Sequence, residues 1–152
     1  MKDVIRVQKL SYGGTLWINA GEDRRIDALT GTRLPEAIAI SRKAVDLDPL
    51  SVRAWYVLAI CLLASRDLEA AREANQHAIA IDLANEFALT LLGTIELLER
   101  KPAVALAVFK RISGDSPNQL GFRLTGIAMA EHSLGHALES KQALDEASAR
   151  TA

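Results

Sequence analysis

The sequence predicts an all-α chain: a solenoid of antiparallel helix pairs, preceded by a β-hairpin or an irregular cap. Three observations lead there. Apolar residues recur at helical spacing in two runs over residues 55–81, parted by the polar break Ser65-Arg66-Asp67. The same pattern returns further along at a fixed offset. Prolines and capping residues fall where the ends of those helices should be.

The offset is 34 residues. Trp55, Leu58, Ala59, Leu62, Ala71 and Asn75 stand 34 before Leu89, Leu92, Gly93, Glu96, Ala105 and Phe109. A third copy, with one extra residue, reads Leu124, Ile127, Ala128, Glu131, Ser140 and Leu144. Ala37 precedes Ala71, Pro49 precedes Leu83 and Leu83 precedes Pro117 by the same 34. The chain therefore holds three helix pairs and, before them, the second helix of a fourth. One helical hairpin cannot bury its apolar stripe alone, so stacking copies is the physical answer to the repetition.

Each element has its signal. Ser51, after Asp48-Pro49, is a good N-cap for the helix carrying Trp55, and Asn85 for the helix carrying Leu92. Pro35 and Pro102 suit the first turn of a helix, where a missing N–H costs nothing. Pro49 and Pro117 are expected between units, breaking any continuous helix. Ala59, Gly93 and Ala128 on the first helices, and Ala71, Ala105 and Ser140 on the second, are small enough for close helix approach. Trp55, Leu58, Leu92 and Ile127 are expected to be buried. The run Glu69, Arg72, Glu73 reads as a solvated helix face.

A 34-residue period with two helices per unit resembles the tetratricopeptide repeat, whose pattern is W-x2-L-G-x2-Y, then A-x3-F, then P. The units here read Trp55-x2-Leu58-Ala59-x2-Leu62 with Ala71-x3-Asn75, Leu89-x2-Leu92-Gly93-x2-Glu96 with Ala105-x3-Phe109, and Leu124-x2-Ile127-Ala128-x2-Glu131 with Ser140-x3-Leu144. The resemblance divides the chain into a cap over residues 1–34 and a repeat domain over 35–149. That domain comprises a half repeat at 35–50 and repeats at about 51–85, 86–119 and 120–149. Glu96 and Glu131 stand where the family has an aromatic, as does Asn75. They read as tolerated substitutions or as polar groups at a groove edge.

Residues 1–34 do not match the pattern. Residues 4–10 and 15–19 are β-branched and aromatic-rich, with Ser11-Tyr12-Gly13-Gly14 between them as turn chemistry. A β-hairpin is one reading and a degenerate helix over residues 23–29 is another; both can hold for different parts. An isolated hairpin is marginal in water, so Trp17 is expected to lean on the first helix.

Composition bounds the function. The chain has 152 residues, 49% hydrophobic and 24% charged, with a formal net charge of −1. No basic excess exists to neutralise phosphates, which argues against nucleic acid as a partner. No apolar stretch approaches the roughly 20 residues that cross a bilayer. The single cysteine, Cys61, cannot form an intrachain disulfide and reads as a small buried hydrophobe. A cytoplasmic setting is expected.

No catalytic motif is present. Gly13-Gly14 is followed by no phosphate-loop sequence, and His132, Ser133 and Cys61 form no triad pattern. His132 and His136 are spaced i, i+4, yet Gly135 falls where the turn between helices belongs, so they are not expected to share a helix. His77 reads as a partly exposed helix residue. Neither cofactor nor metal is expected, and the chain is not expected to be an enzyme.

The resemblance implies a protein-interaction module whose groove is lined by the first helix of each unit. It points to Arg53, Tyr56, Ile60, Phe87, Thr90, Thr94, Phe122, Thr125 and Met129. Family members that clamp a C-terminal carboxylate use Lys and Asn along these helices, and Tyr56, Ile60, Thr90 and Thr94 do not supply them. A peptide or protein segment is the expected partner. The alternative is a sensory or oligomerisation segment of a larger bacterial regulator. The last helix, about residues 137–149, carries Leu138, Ala143, Leu144 and Ala147 on one expected apolar side, which suggests a homodimer.

Overall fold

The computed structural model describes residues 5–9, 15–19, 34–114 and 116–151. Strands β1 (Ile5–Lys9) and β2 (Thr15–Asn19) pair antiparallel, with Lys9 opposite Thr15 and Val7 opposite Trp17. The segment expected as a degenerate helix at 23–29, and the Trp17 side chain, lie outside the described residues.

Among the described residues, seven helices follow: α1 (Leu34–Leu47), α2 (Val52–Ala64), α3 (Leu68–Ile81), α4 (Glu86–Leu98), α5 (Pro102–Lys110), α6 (Pro117–Ser133) and α7 (Ala137–Thr151). Each packs against its neighbours in the chain, and the first helices of successive pairs also touch, α2 with α4 and α4 with α6. This is the packing of a helical-hairpin solenoid.

Local chemistry sets the helix starts. The side chains of Ser51, Asp67, Asn85 and Ser116 each accept from the backbone N–H three residues on, at 3.1–3.3 Å. Pro102 and Pro117 open α5 and α6. Pro117 is thus the first residue of a helix rather than a breaker between units. Its fixed φ suits that position, and Ser116 before it supplies the cap.

The turn inside each pair is the same device three times. Asp67, Lys101 and His136 donate their backbone N–H to Leu62, Glu96 and Glu131, while Arg66, Arg100 and Gly135 donate to Leu63, Leu97 and His132. These two bonds are the Schellman closure, which needs a left-handed residue at the second position of the turn. Arg66 (φ 66°), Arg100 (φ 59°) and Gly135 (φ 83°) supply it. His132 lies in α6 and His136 beyond the turn, so the two imidazoles do not share a helix.

The core forms two clusters. Val45, Leu58, Ala59, Leu62, Ala71, Ala74, Leu91 and Ile95 fill the first, and Leu89, Ala105, Val108, Phe109, Ile112 and Ala130 the second. Trp55, Leu92 and Ile127, expected to be buried, are only half-buried and pack on the margins of these clusters. The fully enclosed positions go instead to Leu89, Ile95, Phe109 and Ile112 and to small residues such as Ala59, Ala71, Ala78, Ala88 and Ala105.

The polar departures from the repeat pattern are buried anchors rather than groove-edge groups. Asn75 is fully buried and donates its side-chain amide to the Ala88 carbonyl at 2.8 Å, tying α3 to α4. Glu96 is buried and ion-paired to Arg72 of α3, whose other guanidinium nitrogen reaches Glu99 at 2.8 Å. Arg72 is therefore part of an inter-helix network, not of a solvated face; Glu69 and Glu73 beside it are exposed. Glu131 is buried with its carboxylate 2.7 Å from His136 Nδ1. The two carboxylates and the Asn75 amide N–H are paired, which permits their burial, while Asn75 Oδ1 is buried without a partner among the described residues.

Candidate functional site: an uncharged groove beside an aromatic chain

The nine residues that the sequence singles out form three repeat positions on α2, α4 and α6: Arg53, Phe87, Phe122; then Tyr56, Thr90, Thr125; then Ile60, Thr94, Met129. One helical turn separates successive positions, so each helix offers them on one face.

The structure links three of them into an aromatic chain running from helix to helix. The rings of Tyr56 and Phe87 are tilted at 54° with centroids 5.9 Å apart. Phe87 then meets Phe122 edge-on, with centroids 5.4 Å apart. Both geometries are favourable for aromatic pairs. All three rings are half-buried, and burial pushes the Tyr56 phenol above its usual pKa.

Beyond Phe122 the chain opens into a groove of about 600 Å³. Thr90, Thr94, Phe122, Thr125 and Met129 line it, so five of the nine expected residues come together there. Arg53, Tyr56, Ile60 and Phe87 do not. Ile60 packs against the first core cluster, Arg53 is exposed, and Tyr56 and Phe87 join the groove only through the aromatic chain.

The groove also takes residues that sequence reasoning missed. Phe109 forms part of its wall, with Pro117, Asn118, Gly121 and Gly126 from α6 and Leu144, Ala147 and Ser148 from α7. The α7 residues correct an expectation. Leu138, Ala143, Leu144 and Ala147 do not form one outward apolar side: Ala143 is buried, Leu138 is exposed away from the groove, and Leu144 and Ala147 line it. The signal was present in the register, since Leu144 holds the position of Phe109 one unit earlier.

Not one lining residue is charged. The hydroxyls of Thr90 and Thr94 donate to the carbonyls of Glu86 and Thr90, at 2.6 and 2.9 Å, so their protons are committed to the helix backbone. The surface on offer is aromatic and aliphatic, with a few oxygen acceptors. It suits an apolar side chain and has no cation for a terminal carboxylate. Among the described residues, no group of three His, Cys, Asp or Glu side chains is placed to hold a metal ion. No described helix is long and apolar enough to cross a membrane.

Residues 28–92 match the family model of the tetratricopeptide repeat. That segment of the chain is tetratricopeptide-repeat in sequence, and the helix pairs after it have the same fold. Two solved structures of the protein MamA share the fold. One aligns with a TM-score of 0.65 at 24% identity over 77% of this chain and 63% of its own. The other aligns with a TM-score of 0.67 at 24% identity over 79% of this chain and 70% of its own. The chain thus spans less than two thirds of the first of these relatives. A search of curated proteins finds no match. Tetratricopeptide repeats are in general a non-catalytic fold that serves protein–protein interaction, and this chain has that architecture.

Proposed function

We propose that this tetratricopeptide-repeat chain is a scaffold or adaptor that binds a peptide or protein segment along the groove, without catalysis. The observation that carries the reading is the continuity of one apolar surface across three first helices. The aromatic chain Tyr56, Phe87, Phe122 leads directly into the uncharged groove lined by Thr90, Thr94, Thr125 and Met129. A central, half-buried aromatic set ringed by weaker contacts is the usual composition of an interaction hot spot.

The interaction unit is residues 35–149, with the half repeat at 35–50 and full repeats at about 51–85, 86–119 and 120–149. Arg53, exposed at the far end of the row, gives the bound segment one acidic contact. Ile60 and Tyr56 both pack on the first core cluster, which anchors that end of the row. A cytoplasmic setting accords with a lone cysteine, Cys61, that is half-buried with burial pushing its thiol pKa up.

The test is selection from a displayed random-peptide library against the full chain. Wild-type protein should enrich sequences with an aromatic or large aliphatic anchor. The double variant Tyr56→Ala, Phe87→Ala should lose at least thirtyfold in affinity for them, the loss of a 2 kcal/mol hot spot. It should remain folded, with a cooperative melt at a Tm lowered by several degrees, since both rings are half-buried. No enrichment by the wild type, or equal binding by the folded variant, would remove these residues from the proposed site.

A further inference from the structure

We propose that the outward face of α5 docks an acidic helix of a partner protein, one that is apolar along its middle and carries carboxylates toward both ends. This surface is separate from the groove, and the inference does not rest on the groove reading.

The internal register supplies the comparison, because α3, α5 and α7 are the second helices of successive units. Where α3 exposes Glu69 and Glu73, α5 exposes Ala103 and Ala107. Where α7 exposes Asp145 and Glu146, α5 exposes Lys110 and Arg111 at and just beyond its end. Val104, on the same side as Ala103 and Ala107, is 48% exposed. The outward faces of α3 and α7 carry the carboxylates of a solvated helix, and α5 has none.

The charge on α5 has one sign. Residues 100–111 hold four cations, Arg100, Lys101, Lys110 and Arg111, and no carboxylate, in a chain whose net charge is −1. All four are exposed. Lys101 is bridged to Glu99 at 2.7 Å. Arg100, Lys110 and Arg111 have no ion pair among the described residues. Arg100 and Lys101 stand at the N-terminal end of α5, where the helix dipole disfavours a cation. The arrangement therefore does not serve the stability of α5 itself. Carboxylates brought by a partner would relieve both the repulsion and the dipole.

Geometry narrows the partner to a helix. Ala103 and Ala107, one turn apart, let a second helix approach to the short end of the usual interaxial range, about 8 Å. An extended segment would lay unpaired backbone groups over Ala103, Val104 and Ala107, whereas a helix satisfies its own. Lys101 and Lys110 are about 14 Å apart along the helix rise, so carboxylates about nine residues apart on a partner helix reach both ends. An apolar centre with a charged rim is the usual layout of an interface.

The test uses the full chain and two helical peptides of equal composition, acetylated, amidated and labelled with fluorescein. Both consist of alanine, leucine and glutamate. One carries its glutamates at both ends, about nine residues apart, and the other carries them all in the middle. At low salt, fluorescence anisotropy should show saturable binding of the first, at least tenfold tighter than of the second. The variant Lys110→Glu, Arg111→Glu should weaken it at least tenfold, and so should Val104→Asp. Leu83→Asp, the same kind of change at an exposed residue between α3 and α4, should not. No saturable binding up to about 1 mM peptide, equal affinity for the two peptides, or indifference to the cation variant would overturn the proposal. Binding that survives Val104→Asp would do so too, since charge alone would then account for it. Self-association of the protein in sedimentation velocity that Lys110→Glu, Arg111→Glu abolishes would also overturn it, because a second copy would be the occupant. Peptides selected through the groove should bind that variant as they bind the wild type, so the two surfaces are tested independently.

Discussion

The Phe109 ring occupies the space that a side chain on Gly126 would need, so α5 locks into α6 through an aromatic knob and a missing Cβ. The same ring closes on Gly93 of α4, where a Cβ would stand 2.5 Å from it. Phe109 is thereby wedged between two first helices, 1% exposed, at the centre of the second core cluster.

Gly126→Ala should therefore destabilise the protein, although alanine is the better helix former by up to about 1 kcal/mol. Overpacking a rigid ring costs roughly 1–3 kcal/mol, which exceeds that gain. Urea unfolding of Gly126→Ala, Phe109→Leu and the double variant gives the coupling. The double variant should recover part of the loss, because leucine leaves room for the new methyl. A neutral or stabilising Gly126→Ala would show that the wedge is not tight.

Arg66 and Arg100 hold the left-handed position of the turns between α2 and α3 and between α4 and α5, with φ of 66° and 59°. The third turn uses Gly135 for the same task. A left-handed conformation costs an L-residue roughly 1–2 kcal/mol, and the unfolded-state entropy of glycine offsets part of the relief. Arg66→Gly and Arg100→Gly should each raise stability by about 0.5–1 kcal/mol. The sites share no partners, so the double variant should gain the sum. A loss at either site would mean that the arginine side chain contributes more than the strain it carries.

The Arg72 network predicts a pH effect with a definite sign. Lys101, at 2.7 Å, and Arg72 hold the Glu99 carboxyl below the usual carboxylate pKa. A group whose folded pKa is lowered stabilises the fold above its unfolded pKa of about 4.3, and that share is lost as pH falls through the folded value. Thermal unfolding from pH 6 to pH 3 should therefore show a smaller acid loss for Lys101→Met than for the wild type. At neutral pH, Arg72→Met should cost about 2 kcal/mol. That is below the roughly 3–5 kcal/mol of a broken fully buried pair, since Arg72 keeps partial contact with water. An acid profile unchanged by Lys101→Met would remove Glu99 from the account.

How much of this was legible follows from which interactions are local. Ser51 and Asn85 cap helices through atoms three residues away, and the apolar spacing of Leu58 and Leu62, or of Leu89 and Leu92, is a property of one helix; all are readable in sequence. Asn75, Glu96 and Glu131 are harder, because a polar residue at an apolar position suggests exposure. What permits their burial is a partner that the pattern does not announce: Arg72 lies 24 positions from Glu96, and Asn75 uses a backbone carbonyl. Gly126 carries no sequence signal of its own, since its meaning exists only beside Phe109. In the groove, the three first-helix positions were legible from the repeat. The contribution of α7 was present only in the register of Leu144 with Phe109, because the apolar residues of α7 read equally as an outer edge.

Trp55 tests that boundary most sharply. Its place at the head of the repeat pattern suggests a core residue whose truncation costs about 3–5 kcal/mol. The structure makes it half-buried, with its indole N–H donated to the Pro49 carbonyl at 2.8 Å and its ring stacked on His77 at a centroid distance of 4.1 Å and an angle of 17°. It fastens the loop between α1 and α2 to the face of α3. Trp55→Ala should accordingly cost only about 2 kcal/mol: part of the burial of an aromatic plus one hydrogen bond worth about 1 kcal/mol. Trp55→Phe keeps the packing and loses the bond to Pro49, so it should cost about 1 kcal/mol. His77→Ala removes the stack alone and should cost about 0.5–1 kcal/mol. A Trp17→Phe background leaves Trp55 as the sole emitter of the two tryptophans, so its fluorescence should change in His77→Ala while helicity by circular dichroism does not. A cost of about 4 kcal/mol or more for Trp55→Ala, with emission indifferent to His77→Ala, would return Trp55 to the core and contradict its stacking on α3.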